Sequence, residues 1–269
     1  MDHALLERLV LALERLSPPA PVPVDPAAPA YVWHNDALHV ARFAPLPLAF
    51  LTGIDVQRDA VVENGRRLAQ GHAAHDILLW GARGGGKSAL VKSSIAALRG
   101  EGLNIALVEV GASDLDKLPE VFAILESWDR PAIVFVDDLA FEGGTDASRS
   151  LRSMLEGGAS GRPPNVRLYV TSNRRHIVAR DMAEQESAIN VRDVVDDRLA
   201  LADRFGLSLG FHVCDQETYL AMVSRYAEAF DHQVDAADAL TWSTQRGARS
   251  GRVAWHYAVE LAGRAGRTL

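Results

Sequence analysis

The sequence predicts an α/β fold in which helices cover both faces of a parallel sheet, and three observations support that prediction. Short apolar segments alternate with amphipathic helical stretches from Leu51 onward. A glycine-rich turn, Gly81–Ser88, joins one of these apolar segments to a helical stretch. After Cys214 the strand pattern stops and only amphipathic helical stretches follow. We therefore expect an α/β core followed in the chain by a small all-helical unit.

Five segments have the apolar character of buried strands, with helical stretches between them. The predicted strands are Ile77–Trp80, Ile105–Val110, Ile133–Val136, Val166–Thr171 and Leu207–His212. The predicted helices between them are Ser88–Leu98, Leu115–Trp128, Ala147–Leu155 and Asp193–Ala202. Near the end, "QETYLAMVSRYAEAF" and "SGRVAWHYAVELAGRA" have helical amphipathic spacing. The chain divides on this basis into residues 1–49, a core at 50–213 and a helical unit at 214–269.

The first 49 residues combine three compositions. "MDHALLERLVLALERL" has leucines at helical spacing and predicts a first helix. "SPPAPVPVDPAAPA", residues 17–30, is rich in proline and predicts an extended, poorly packed spacer. Residues 31–49 contain aromatic and aliphatic side chains without a clear period, and we interpret them as a lead-in that packs on the core. The first helix is therefore expected to be a tethered element.

Composition and charge exclude several classes of protein. A chain of 269 residues with 48% hydrophobic residues can bury a sizeable core. Its formal net charge of -7 gives no overall positive field for nucleic acid or acidic membranes. No segment approaches the roughly 18 apolar residues of a membrane span, and glutamates interrupt the N-terminal leucines. The lone Cys214 cannot form an internal disulfide. We expect a cytoplasmic protein.

The segment Gly81–Ser88 reads GARGGGKS and matches the phosphate-binding pattern G-x-x-x-x-G-K-[ST]. Its glycines let the backbone curl so that several N–H groups point at one position, where the positive end of the following helix adds to them. Lys87 would supply a cation for the outer phosphates, and Ser88 a hydroxyl for Mg²⁺. The simpler alternative is a glycine-rich turn before an ordinary helix. The strand before the turn and the helix after it favour ATP and Mg²⁺ as ligands.

Two further strand ends carry polar residues. "AIVFVDD" ends in Asp137 and Asp138, a pattern in which the first carboxylate steadies the Mg²⁺ shell and the next can orient a water molecule. "YVTSNRRH" carries Asn173, which could reach a γ-phosphate or hold the attacking water if its strand lies beside the P-loop strand. It could equally cap a turn. Each pattern is weak alone, and the P-loop upstream strengthens the acid pair.

Three arginines are candidates for contacts to a nucleotide. Arg204 precedes the fifth predicted strand, and Arg249 and Arg252 lie in "QRGARSGRVA". Because only three of the 28 basic residues are lysines, arginine is the default cation of this chain. Each arginine could instead form a surface ion pair of little energetic value, and Asp197 and Asp203 are local partners for Arg204.

The order of these motifs resembles that of the AAA+ ATPases from about Leu51 to the end of the chain. A P-loop, an Asp-Asp strand end, a polar strand end, an Arg-Phe before the fifth strand and a Gly-x-Arg in the helical tail follow one another. More closely, "GARGGGKS", "DDLAFEGG", "LEGG", "TSNRRH" and "LADRFGLSLGF" resemble a bacterial group of AAA+ ATP-binding proteins catalogued as a domain of unknown function.

This resemblance implies a five-stranded parallel sheet with the strand order 5-1-4-3-2 and a C-terminal helical lid. It implies that Asp138 and Asn173 act in catalysis, the latter as sensor 1. It also implies that Arg204 is an arginine finger entering a neighbouring subunit's site. Arg249 would be the sensor 2 contact, with Arg252 as the alternative. The residues implied to contact the nucleotide are Leu51, Gly53 and Ile54 near adenine, and Gly81, Ala82, Arg83, Gly84, Gly85, Gly86, Lys87, Ser88 and Ala89 in the loop.

Two departures from the wider AAA+ pattern refine the functional expectation. Most AAA+ motors have Glu after the first Asp, whereas this chain has Asp138, which is one methylene shorter. Asp-Asp also occurs in the bacterial replication initiator and in transposition helper ATPases. The loop Val110–Lys117 lacks the aromatic residue with which protein-threading machines grip a chain. Slow, switch-like hydrolysis is therefore expected, and processive unfolding is disfavoured.

The sequence favours an oligomeric AAA+ ATPase that binds and slowly hydrolyses Mg-ATP to load, remodel or assemble a macromolecular partner. We expect ATP and ADP as ligands, a homo-oligomer, and a protein partner in preference to nucleic acid or a membrane. Two other classes stay open. One is a small-molecule P-loop kinase with the helical tail as substrate lid, and the other is a nucleotide-dependent binding module with little hydrolysis.

Overall fold

The computed structural model describes residues 25–139, 155, 162–173 and 203–267. Among the predicted helices, residues 1–16, residues 193–202 and all of 147–155 except Leu155 lie outside the described residues. Within the described ranges, no helix is long and apolar enough to span a membrane.

A seven-stranded sheet forms the centre of the described chain. Its strands are β1 (Ala30–His34), β2 (Ala37–Val40), β3 (Ile77–Gly81), β4 (Ala106–Glu109), β5 (Ala132–Val136), β6 (Val166–Ser172) and β7 (Leu207–Phe211). They lie in the order β2-β1-β4-β5-β6-β3-β7. Strands β1 and β2 pair antiparallel, and the other neighbouring strands pair parallel. The strand that precedes the P-loop, β3, therefore lies between β6 and β7.

The five segments predicted as strands correspond to β3–β7, but the predicted number of strands is wrong, because the sheet has two more. Residues 31–49, which we interpreted as a lead-in, contribute most of the hairpin β1–β2 beside β4. Asn35 and Asp36 both have positive φ, 50° and 56°, as in the two-residue turns that match the twist of a hairpin. Buried Tyr31 and Trp33 alternate with exposed residues in β1, which is the strand signal that the sequence reading missed.

The proline-rich spacer is also shorter than predicted, because residues 25–30 pack on the core. Ala28 and Ala30 are only 5% and 2% exposed. The Arg130 guanidinium donates to the Ala28 carbonyl oxygen at 2.9 Å. It lies over the rings of Tyr31 and Trp128, 5.5 Å and 5.0 Å from their centroids. This cation–π arrangement fixes the entry of the chain into β1.

Helices cover both faces of the sheet. Helices α1 (Asp55–Ala69) and α2 (Lys87–Gly100) pack on one face, and α3 (Leu118–Glu126) packs on the other. Strand β5 shows why the sheet is covered twice. All of its residues are buried, and successive side chains alternate between the two hydrophobic clusters. A continuous apolar strand is expected where helices protect both faces of a parallel sheet.

Three further helices, α4 (Gln216–Ala229), α5 (Ala236–Gln245) and α6 (Gly251–Arg264), form the C-terminal helical unit. Each begins at a side chain that accepts a hydrogen bond from a backbone N–H of its first turn, and these caps are Asp215, Asp235 and Ser250. The unit has a hydrophobic core of its own, which includes Tyr219, Val223, Ala254 and Tyr257.

Two contacts attach the C-terminal helical unit to the α/β core near the P-loop. The Phe50 ring packs edge-on against Tyr226 of α4, with ring centroids 5.4 Å apart. The backbone N–H of Gly251, the first residue of α6, donates to the carbonyl oxygen of Gly84 at 3.1 Å. The helical unit therefore contacts the P-loop itself.

Candidate functional site

The P-loop connects β3 to α2, and two of its glycines are required by its geometry. Gly81 has a φ of 122°, and a Cβ atom there would lie 2.1 Å from the carbonyl oxygen of Phe211 in β7. Gly86, directly before α2, has a φ of 93°. Residues with a side chain rarely adopt either conformation. Glycine at these positions lets the chain turn from the strand into the helix while β7 lies close beside it.

Lys87, the first residue of α2, is buried and directs its ammonium group back over the loop. The ammonium donates to the carbonyl oxygens of Gly81 and Ala82, at 3.0 Å and 2.9 Å. It also donates to Oδ1 of Asn173 at 2.9 Å. Burial lowers the pKa of Lys87, although the negative charges of the two neighbouring aspartates oppose that effect. An anion in the loop would compensate the cost of holding this charge away from water.

A hydrogen-bond network joins the P-loop to the ends of β5 and β6. The Ser88 hydroxyl donates to Oδ1 of Asp137 at 2.6 Å, and the Thr171 hydroxyl donates to the same oxygen at 2.5 Å. The backbone N–H of Asp138 donates to Oγ1 of Thr171 at 2.8 Å. The strand order explains the meeting, because β5, β6 and β3 are neighbours and parallel strands end at the same edge of a sheet.

Asn173 links the P-loop cation to the second aspartate. Its side-chain oxygen accepts the hydrogen bond from Lys87, and its amide nitrogen donates to the carboxylate of Asp138. Its strand, β6, does lie beside β3, which was the condition for such a contact. Asp138 has a φ of 54°, a conformation uncommon for a residue with a side chain and often found at functional sites.

A cavity of about 280 Å³, called here the Asp137 cavity, adjoins this network. The predicted site residues that line it are Leu51, Gly84, Gly85, Gly86, Lys87, Ser88, Ala89, Asp137, Asp138, Asn173 and Arg252. Leu46, Tyr226, Gly251 and Trp255 complete its lining. Polar groups of the P-loop and of the ends of β5 and β6 therefore share this cavity with Arg252, Tyr226 and Trp255 of the C-terminal helical unit.

A second cavity of about 420 Å³, called here the Gly53 cavity, shares Gly85 and Gly251 with the first. The predicted site residues that line it are Gly53, Ile54, Ala82, Arg83, Gly85 and Arg249. Cys214 also lines it, and its pKa is raised to about 11, mainly by burial, so the thiol stays protonated at neutral pH. Arg249 and Arg252, three positions apart in the sequence, thus line different cavities.

Arg204 lies in the segment that enters β7 and lines neither of these two cavities. The next residue, Phe205, is buried at 5% exposure and anchors this segment in the core. Strand β7 is the last strand of the sheet on the P-loop side. Arg204 is therefore held at the margin of the core, close in the chain to the strand that flanks the P-loop.

Three of the residues that the sequence reasoning missed carry polar or aromatic groups at or beside the Asp137 cavity. Thr171 was quoted with its strand but given no role, although it lies two positions before Asn173 and so shares a strand face with it. Tyr226 and Trp255 belong to stretches in which the sequence showed only helical amphipathic spacing, and they pack in the core of the helical unit and also line the Asp137 cavity. No periodicity could have shown that these rings face the P-loop, because that depends on how the helical unit docks.

Comparison with known proteins assigns the family. The family described as "Protein of unknown function (DUF815)" matches residues 26–265. The chain belongs to the DUF815 family. No curated protein matches the sequence of this DUF815 chain significantly.

Solved structures resemble this DUF815 chain in fold. The RuvB Holliday junction branch migration motor of Thermotoga maritima has a TM-score of 0.52 and 17% identity, over 83% of this chain and 67% of that one. AMPPCP-bound DnaA from Aquifex aeolicus has a TM-score of 0.52 and 15% identity, over 84% of this chain and 68% of that one. The family and these similarities confirm the resemblance to AAA+ ATPases: the DUF815 chain has an AAA+ fold.

Proposed function

We propose that this DUF815 protein is an ATPase that binds Mg-ATP across the Asp137 and Gly53 cavities and hydrolyses it slowly. In the proposal it works as an oligomer whose neighbouring subunits share active sites. The observation that carries the proposal is the single amide of Asn173, which contacts both Lys87 and Asp138. A phosphate-binding cation and a candidate water-activating carboxylate are thereby held at one position, as hydrolysis of a terminal phosphate requires.

The chemistry of the donor groups fits a magnesium nucleotide. Lys87 is a buried cation whose pKa is lowered by burial despite the two aspartates near it, so the negative charge of a triphosphate would further stabilise its ammonium group. The Ser88 hydroxyl and the Asp137 carboxylate touch each other and are hard oxygen ligands of the kind that Mg²⁺ prefers. Mg²⁺ would supply charge neutralisation at the phosphates. Gly53 and Ile54 lie in the adjoining cavity, where the base would bind.

Asp138 and Asn173 supply the hydrolytic chemistry in this proposal. The Asp138 carboxylate would accept a proton from the attacking water, and the Asn173 amide would orient that water or the terminal phosphate. Asp138 is shorter than the glutamate usual in AAA+ motors, and it already accepts a hydrogen bond from Asn173. Its carboxylate therefore reaches less far toward the attacking water and is already engaged with Asn173, which supports slow hydrolysis.

Two arginines would act on the terminal phosphate from different chains. Arg252 lines the Asp137 cavity of its own chain, which favours it over Arg249 as the sensor 2 contact. Arg204 lines neither described cavity of its own chain, which supports a role in the site of a neighbouring subunit. An arginine supplied by a neighbour stabilises the charge that develops on the phosphoryl group during transfer.

The proposed work of this ATPase is to load, remodel or assemble a macromolecular partner. The net charge of -7 favours a protein over nucleic acid as that partner. The segment after β4 begins Val110–Gly111–Ala112 and has no aromatic residue up to Lys117, so processive threading of a chain is disfavoured.

One assay tests the proposal against its two alternatives. Phosphate release is measured with protein alone over a wide range of protein concentration, and again with a panel of small-molecule acceptors. Lys87→Ala serves as the control for contaminating ATPases. We expect turnover without acceptor that rises steeply with protein concentration. Turnover that requires an acceptor would identify a kinase, and tight ATP binding without turnover would identify a binding module.

A further inference from the structure

Thr171 occupies a central position among the acidic residues of the site. It is 1% exposed and pairs with Leu79 of the P-loop strand in the sheet. Its hydroxyl makes two hydrogen bonds, and their directions are fixed by chemistry. An ionised carboxylate can only accept, so the hydroxyl donates to Asp137, and a backbone N–H can only donate, so the hydroxyl accepts from Asp138. One hydroxyl therefore contacts both aspartates.

The hydrogen bond from the Asp138 N–H to the Thr171 hydroxyl holds the backbone of Asp138 in an uncommon conformation. Its φ of 54° costs free energy for a residue with a side chain, and such a conformation persists where the surroundings hold it. The Thr171 hydroxyl accepts the N–H of Asp138, and the Thr171 carbonyl oxygen accepts the N–H of Leu139 at 2.8 Å. Two consecutive amides after β5 are thus bonded to a single residue of β6. This directs the Asp138 side chain toward Asn173.

The hydrogen bond from the Thr171 hydroxyl to Asp137 orients the Asp137 carboxylate. Ser88, at the start of the helix that follows β3, and Thr171 of β6 both donate to its Oδ1, and β6 lies between β5 and β3 in the sheet. In the proposed function, the Ser88 oxygen also serves the metal ion. Thr171 has no such second task, so it is the group that holds the Asp137 carboxylate in place before and after metal binding. Residues that hydrogen-bond to metal ligands orient those ligands and tune how strongly they bind the metal.

We propose that Thr171 is a positioning residue that sets both aspartates of the Mg-ATP site with one hydroxyl group. The inference rests on the proposed function and extends it to a residue that contacts neither nucleotide nor metal. Its loss would misorient the metal-binding carboxylate and release the backbone of Asp138 in the same step. Metal affinity and catalytic turnover should therefore fall together, while the phosphate grip of Lys87 stays intact.

The chain offers a matched control beside it. Ser172 is the next residue of β6 and is fully buried, and among the described residues its hydroxyl has no hydrogen-bond partner. Ser172→Ala therefore removes a buried hydroxyl from the same strand without touching either aspartate. Thr171→Val removes the hydroxyl with little change in shape, and Thr171→Ser restores it on a smaller side chain.

The experiment compares these three variants with the wild-type protein in four measurements. They are the thermal unfolding midpoint, ATP affinity in EDTA, the Mg²⁺ concentration dependence of ATP binding, and kcat with KM. We expect Thr171→Val to keep wild-type ATP affinity in EDTA. Its apparent Mg²⁺ affinity and its kcat should each fall about 10- to 100-fold, the range for partners of metal ligands. Thr171→Ser should stay close to wild type, and Ser172→Ala should match it.

Two results would overturn the inference. One is a Thr171→Val variant that loses no more Mg²⁺ affinity and kcat than Ser172→Ala does, and the other is a Thr171→Ser variant that loses as much as Thr171→Val. Either would reduce Thr171 to a packing role. A wild-type protein that binds no ATP would overturn the proposed function, and this inference with it. A wild-type ATPase that is indifferent to Thr171→Val overturns the inference alone.

Discussion

The ammonium nitrogen of Lys87 and the side-chain oxygen of Asn173 are 2.9 Å apart, so the P-loop cation is bonded directly to the end of strand β6. The same ammonium donates to two carbonyl oxygens of its own loop. A bound triphosphate must compete with these contacts for the lysine. Asn173 therefore bridges the P-loop cation and Asp138, to whose carboxylate its amide nitrogen donates.

Lys87→Ala should abolish Mg-ATP binding, because no other lysine lines either described cavity. Isothermal titration of ATP measures the effect. Lys92→Ala is the matched control, since Lys92 belongs to the same helix but pairs with Glu109 at 2.8 Å. ATP affinity that is equal in the two variants would contradict the P-loop assignment.

Asp138→Asn should keep ATP binding and lose hydrolysis by about 10²- to 10⁴-fold, the usual contribution of a general base. The amide accepts a proton too weakly to activate water. Nucleotide titration and single-turnover hydrolysis separate the two effects, and Asp116→Asn in an exposed position is the control. If binding falls as far as hydrolysis, Asp138 belongs to the metal shell instead.

Arg204→Ala should bind ATP normally and hydrolyse it about a thousandfold more slowly, as expected for the loss of an arginine finger. Mixing it with Lys87→Ala should recover activity, because the finger of one variant meets the intact P-loop of the other. Arg252→Ala mixed with Lys87→Ala is the control and should gain no activity over Arg252→Ala alone, since Arg252 lines the cavity of its own chain. If Arg204→Ala and Lys87→Ala form mixed oligomers that do not hydrolyse ATP, the shared site is excluded.

Arg252→Ala should weaken ATP binding about 10-fold or more while leaving ADP binding nearly unchanged. A hydrogen bond to a charged group is worth about 1.5 to 3 kcal/mol, and only ATP brings the terminal phosphate that this arginine would contact. Arg249→Ala, in the Gly53 cavity, should affect both nucleotides equally. Competition binding with a fluorescent nucleotide gives both affinities. If instead Arg249→Ala weakens only ATP binding and Arg252→Ala weakens the binding of both nucleotides equally, Arg249 is the sensor 2 contact.

Removing residues 1–24 should leave ATP hydrolysis and the unfolding midpoint unchanged, because the sequence predicts that a proline-rich spacer separates the first helix from the core. Removing residues 1–30 should lower the midpoint by about 3 °C or more, since it deletes the buried Ala28 and Ala30. Thermal unfolding and phosphate release check both proteins. Equal midpoints would show that residues 25–30 contribute nothing to stability.

The sequence predicts the described core well where one strand feeds one helix. The P-loop is such a case, since a local pattern of glycines and a lysine encodes both its shape and its contacts. The hairpin β1–β2 was missed because proline-rich residues precede it and its turn, Asn35-Asp36, lacks the usual glycine.

Long-range contacts limit what a single sequence can give for the site. Asp137, Asp138 and Asn173 could be proposed as site residues from the sequence because each follows an apolar strand. Thr171 was not found, because its role depends on which strands are neighbours in the sheet. The sequence also could not show that Arg249 and Arg252 line different cavities, because that depends on how the first turn of α6 meets the P-loop.

The hydrogen bond between Gly251 and Gly84 joins backbone to backbone where the two segments approach closely, because a Cβ atom at Gly251 would lie 3.3 Å from the Gly84 carbonyl oxygen and one at Gly84 would lie 2.8 Å from the Ser250 hydroxyl. Gly251 is the first residue of α6, where an N–H has no partner within its own helix and where proline is readily accepted. Substituting Gly251 by proline is thus the change that removes this donor while the helix keeps its start. The contact between the P-loop and the helical unit therefore leaves little room for a side chain on either side, and Gly251→Pro would remove its hydrogen bond.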